Sequence, residues 1–149
     1  MKVSVQREDF DLSRECEFLR DGKREVGALA TFVGVVREVP MTLEHYPGMT
    51  QKSIEKIARE AMERWKLIDC TVIHRYGDLK PGDRIVMVAV ASAHRADAFA
   101  ACEFIMDYLK TQAPFWKKEE TAQGAKWVEA KRSDDRAAER WQAKKSDAA

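Results

Sequence analysis

The chain is poor in the residues that divide or staple a protein. Four prolines in 149 residues leave few breaks, which argues for one domain, or one domain with a tail. Its three cysteines, Cys16, Cys70 and Cys102, are odd in number, widely spaced and without a Cys-x-x-Cys pair. That weighs against a zinc knuckle. Cys70 and Cys102 fall in apolar runs and read as small buried hydrophobes, in keeping with a reducing cytosol. No apolar run approaches the ~20 residues of a membrane span. The opening "MKVSVQREDF" is charged and lacks the apolar stretch of a secretory signal, so the expected location is cytoplasmic. An excess of one charge is also missing. Lys and Arg number 26 against 25 Asp and Glu, a net charge of +1, so the chain as a whole is no electrostatic nucleic-acid binder. Any anion site must be a local cluster. Walker A, GxGxxG, HExxH and GxSxG patterns are absent, which weighs against P-loop, Rossmann, zincin and serine-hydrolase readings.

What remains is a globular composition, 45% hydrophobic and 34% charged, long enough to bury roughly 70% of the unfolded chain's surface. "KVSVQ" alternates as a strand, and "DLSRECEFLRD" has helical spacing that Gly22 ends. "EVGALATFVGVVRE" reads as a strand buried on much of both faces, with Gly27 and Gly34 marking bulges or close backbone approach. "MTLEHY" follows a turn at Val39 and Pro40. From Thr50, read as a cap, Ile54, Ile57, Ala58, Ala61, Met62 and Trp65 form one apolar helical stripe. "CTVIHRYGDL" and "RIVMVAVAS" read as a hairpin around "KPGD". Ser92 then caps a helix whose stripe is Ala98, Cys102, Ile105 and Leu109, widened by Phe99 and Met106 and ended near Pro114. "PFWKKEE" and "AKWVEA" read as extended. The charged segment 133–149 reads as a frayed helix or loose tail after a domain spanning 1–132. Strands and helices mix without strict βαβ alternation, so the predicted fold class is α+β with a mainly antiparallel sheet.

Several side chains hold chemical interest. "SAHR" puts His94 and Arg95 in a first helical turn, where free N–H groups attract anions and cations are disfavoured. A bound phosphate or carboxylate reverses that penalty, while solvent-facing side chains explain the pair equally simply. Lys110 suits the dipole of a last helical turn, and Lys117 lies in a charge run. If the two amines converge across the turn at Pro114, repulsion and burial make one of them a base or nucleophile. Arg37, at the end of the glycine-interrupted strand, either grips a phosphate bidentately or is a surface arginine. His45 and His74 read as hydrogen-bonded structural histidines. The residues themselves thus reach a candidate anion cleft of Arg37, His94, Arg95 and the two lysines, and no reaction.

"GALATFVGVVRE", "LEHYPGMT", "VIHRYGDLKPGD", "SAHRADAFAACEFIMDYLKTQAPFWKKE" and "KWVEA" together resemble the large, catalytic subunit of molybdopterin synthase, in the family's order from residue 27 to about residue 130. The resemblance implies an alpha/beta hammerhead fold and a homodimer within a heterotetramer. Each large subunit binds a small ubiquitin-like sulfur carrier with a Gly-Gly C-terminus. Sulfur passes from that thiocarboxylated end to cyclic pyranopterin monophosphate to form the dithiolene, with no metal or cofactor in the step. By motif, Lys110 and Lys117 are the implied catalytic residues. Arg37, His94 and Arg95 are implied to hold the pterin phosphate, and Phe32 and Met106 to shape the pocket. Two departures stand out. "EVPMT" is a tighter link after Arg37 than the family's polar loop, and Lys131 stands where an arginine is common. The short link keeps an alternative open, a carrier-docking homologue with impaired catalysis. A small phosphate-ligand binding protein is the reading from an unrelated class.

Overall fold

The computed structural model describes residues 1–121, 124–128 and 132–147, with side chains for 1–119 and 134–142. In chain order the elements are β1 (Lys2–Gln6), α1 (Leu12–Arg20), β2 (Ala28–Val35), β3 (Met41–His45), α2 (Met49–Arg64), β4 (Asp69–Arg75), β5 (Gly77–Leu79), β6 (Arg84–Ser92), α3 (Arg95–Thr111), β7 (Phe115–Thr121), β8 (Gly124–Val128) and α4 (Arg132–Asp147). They build two four-stranded sheets, ordered β1-β4-β6-β2 and β5-β3-β7-β8. β1 runs parallel to β4, and the other pairings are antiparallel. The class is therefore α+β, as the element pattern predicts.

β6 is the spine. It is paired on both edges and covered on both faces, which is why "RIVMVAVAS" is apolar throughout rather than alternating. On one face α1 closes a small core of Phe10, Leu19, Ile73, Met87, Ala89 and Ala91. On the other, α2 and α3 bury the larger core, with Ile54, Ala58, Ala61, Val88, Ala101, Phe104 and Ile105 at its centre. The α2 stripe read from helical spacing is the buried one.

Five readings need correction. β2 is an edge strand, not a strand buried on both faces: Leu29, Phe32 and Val35 are exposed, Val35 by half. Apolar composition by itself cannot distinguish an interior strand from an edge strand. The run "CTVIHRYGDL" is two strands. The chain turns at Gly77, whose φ of +95° needs glycine, and β5 leaves the first sheet to pair with β3. The cap of α2 is Gly48, and Thr50 lies inside the first turn, buried with its hydroxyl donating to the Tyr46 carbonyl. The cap of α3 is His94, and the Ser92 hydroxyl donates to the His94 carbonyl instead. Phe99, read as part of the α3 stripe, is 66% exposed.

The charged C-terminal segment is α4, packed on α3. Ala138 and Trp141 join the main core. The Trp141 indole N–H donates to Asp107 Oδ2 at 2.6 Å, and Arg140 bonds Glu103 and Asp107. Among the described side chains of α4, Ala138 and Trp141 are the buried ones. Low apolar content hid them.

Candidate active site

α3 carries candidate residues at both ends. At its start, the Gly27 N–H donates to the Ser92 carbonyl at 2.9 Å. A Cβ on Gly27 would lie 2.2 Å from the Ala93 carbonyl oxygen, so this close approach requires glycine. Together with the Ser92 hydroxyl it fixes the turn from which His94 and Arg95 leave. Both are exposed, and His94 provides no side-chain cap. Asp97 in the first turn is the favourable charge for a helix start, and the two cations are the unfavourable ones.

At the other end Lys110 sits in the last turn, exposed. The helix stops at Gln112, whose N–H reaches the Tyr108 carbonyl at 2.8 Å, and the chain returns at once as β7. Phe115, the first residue of β7, stacks on His74 of β4, with ring centroids 3.8 Å apart and planes 18° apart. Lys117 is two residues further on and so on the same face of the strand. It stands opposite Leu43, and its amine is 3.2 Å from Glu119 Oε1. Burial drives the His74 pKa down to about 4, with the Lys110 charge a further cause. Lys110, His74, Phe115 and Lys117 therefore form one neighbourhood. His74 and Phe115 were not among the candidates. The signal for Phe115 was its place between the two lysines in "PFWK".

Arg37 follows β2 on the tight link to β3 and is exposed. Glu38 beside it adopts a φ of +68°, an uncommon conformation for a residue with a side chain. Phe32 is 42% exposed on β2, while Met106 packs against the main core. Lys131 lies outside the described residues.

The five charged candidates do not meet within one chain. The β2–β6 ladder runs from Ala28 opposite Ser92 to Val35 opposite Arg84, and the seven steps between these ends span about 23 Å. Arg37 follows the Val35 end, whereas His94 and Arg95 follow the Ser92 end. Along α3, fifteen residues separate Arg95 from Lys110, about 22 Å. Two hollows of comparable size lie elsewhere: one of about 440 Å³ beside Met41, Asp78 and Asp83, and one of about 420 Å³ along α1 at Arg14 and Phe18.

Fold and site define a two-sheet α+β domain that presents amines at one end of a helix and an anion-attracting cation pair at the other. The model of the MoaE protein family matches residues 5–112, and the chain belongs to that family. A molybdopterin synthase catalytic subunit from Ralstonia nicotianae is 58% identical over 93% of this chain and 83% of its own length. One from Cereibacter sphaeroides is 55% identical over 95% of this chain and 100% of its own. The solved molybdopterin biosynthesis MoaE protein of Burkholderia ambifaria superposes with a TM-score of 0.83 at 56% identity, covering 95% of this chain and 98% of that one. With such relatives along nearly its whole length, the chain is an enzyme subunit. No helix among the described residues is long and apolar enough to cross a membrane.

Proposed function

We propose that the chain is the catalytic subunit of a cytoplasmic molybdopterin synthase. It moves sulfur from the thiocarboxylated Gly-Gly end of a small ubiquitin-like carrier to cyclic pyranopterin monophosphate, and two transfers give the dithiolene of the molybdenum cofactor. The observation that carries the reading is the pair Lys110 and Lys117 on either side of one stacked phenylalanine, in a chain of this family. Each transfer forms a C–S bond at a pterin carbon, whose oxygen substituent leaves, and breaks the carrier's C–S bond, so a water oxygen enters at the carbonyl carbon and leaves a carboxylate. That passes through a tetrahedral oxyanion. An ammonium at Lys110 stabilises it and can exchange its proton. Lys117 serves the pterin as acid/base or orienting charge. Arg37, His94 and Arg95 hold the phosphate, for which guanidinium groups suit bidentate contact, with Phe32 and Met106 as pocket walls.

The separation of the two groups gives the second copy a role. One small substrate reaches both ends only if a partner copy brings its His94 and Arg95 to this chain's lysines. The open edge of β2, with Leu29, Phe32 and Val35 exposed, is the kind of surface that a second copy covers. The carrier then completes a heterotetramer. The short link at Glu38 favours one alternative, a homologue that docks the carrier without turnover.

Reconstitution with thiocarboxylated carrier and pterin precursor tests the reading. The dithiolene product is expected, and Lys110→Ala is expected to abolish it while dimer and carrier binding persist. Carrier binding without product from the unaltered protein selects the docking-only alternative. A mixture of Lys110→Ala and Arg95→Ala chains is expected to regain activity, because a mixed dimer holds one complete site. Failure to regain it rules out a site shared between copies.

A further inference from the structure

Phe115 meets two histidine rings. The His74 ring lies against it at 3.8 Å, and the His45 ring approaches at 5.9 Å with a tilt of 41°. Neither histidine is free to turn. His74 Nδ1 is 2.9 Å from the Arg75 carbonyl oxygen, which can only accept, so Nδ1 carries the proton in the neutral ring. His45 Nδ1 is 3.1 Å from the Thr50 hydroxyl. That hydroxyl spends its own hydrogen on the Tyr46 carbonyl at 2.9 Å, so His45 Nδ1 is the donor here as well. Thr50 is fully buried and His74 nearly so. β4 and β3, the latter braced through His45 by Thr50 of α2, thus meet at one phenylalanine. That residue opens β7, five positions after Lys110 and two before Lys117, just past the turn that joins them.

We propose that His74 and His45 are positioning residues for the sulfur-transfer reaction: by clamping the Phe115 ring they fix the spacing of the Lys110 and Lys117 amines. The inference rests on the reading in which those two lysines act. The clamp suits its place because burial keeps the His74 ring neutral, so it adds no positive charge beside Lys110. Neither histidine touches substrate in this account. Each acts through Phe115, and loose placement of reacting groups by about 1 Å can cost on the order of 100-fold in rate.

The test is steady-state turnover of the reconstituted enzyme, with kcat and the KM for the pterin precursor measured separately. Thermal unfolding and carrier affinity are measured for every variant. Phe115→Leu keeps apolar bulk but removes the flat face, and Phe115→Tyr keeps the face. Phe115→Leu is expected to lower kcat by about 10- to 100-fold with KM within about twofold of the original, and Phe115→Tyr to restore kcat. At His74, the Phe variant keeps a stacked ring and is expected to retain turnover. The Gln variant keeps the donor to Arg75 but no ring, and is expected to lose it. The His74 pair makes the same comparison if Phe115→Leu does not fold. A folded Phe115→Leu or His74→Gln enzyme with unchanged kcat overturns the clamp. So does a fall in kcat that follows thermal stability alone, with no difference between ring and non-ring variants. Full turnover by Lys110→Ala overturns instead the reading on which the clamp stands.

Discussion

Burial holds the His74 imidazole neutral and pushes its pKa down to about 4, against about 6.5 in an unfolded chain. Between these values the unfolded chain binds the extra proton, so stability rises with pH there. His74's contribution is complete above about pH 6.5 and falls away toward pH 4, by about 3 kcal/mol. Urea unfolding at pH 7 and pH 4.5 is expected to show the decline, and His74→Phe to flatten it. Asp9 is held below the usual carboxylate range by its bond to Arg84, below this window. Cys70 and Cys102, pushed up by burial to about 12 and about 11, remain thiols. Spacing had identified both as interior residues. It had also identified His74 as structural, but not the ring it holds.

At the scale of elements, α3 and α4 share one anchorage. Trp141 is 3% exposed and packs edge-on to Phe104 and Trp65, with centroids 5.7 and 5.6 Å away. Arg64 lies over the same aromatic group. The Asp107 carboxylate that receives the Trp141 N–H is one helical turn before Lys110. Trp141→Ala is expected to cost about 3–5 kcal/mol, the range for a buried Trp or Phe reduced to Ala, read by chemical denaturation. Because Ala138 and Trp141 are the buried positions of α4 within its described side chains, the helix was hard to read as part of the fold. The α2 stripe, with a buried residue at nearly every turn, was easy. The caps of α2 and α3 were displaced for a related reason: Thr50 and Ser92 spend their hydroxyls on carbonyls, and nothing in their spacing distinguishes a capping hydroxyl from a buried one.

For the whole molecule the decisive feature is the edge of β2. An eight-residue apolar strand with one unpaired side is a liability in isolation. On the proposed reading it is the seam of the dimer that completes the site. Lysine at Leu29 and Val35 together is expected to give monomers at concentrations where the unaltered protein is a dimer, as measured by light scattering. Turnover is expected to fall with the dimer while the monomer keeps its fold. A dimer of unchanged stability places the seam elsewhere.

The sequence by itself determined what depends on local pattern: the α+β class, the helices whose buried stripe recurs every turn, the turns at Gly22 and "KPGD", and the identity of the candidate residues through their motifs. The class, helices and turns follow from side-chain period and backbone permissiveness, which neighbours in the chain already express, whereas the candidate residues' roles are what the family resemblance implies. Only the tertiary structure decided that "CTVIHRYGDL" splits between two sheets, that β2 lies at an edge, and that the charged tail is a docked helix. It also decided that Arg95 and Lys110 stand at opposite ends of one helix and that Phe115 stacks on His74. Each depends on which elements pack together, a property of contacts between residues distant in sequence, and no local period encodes them.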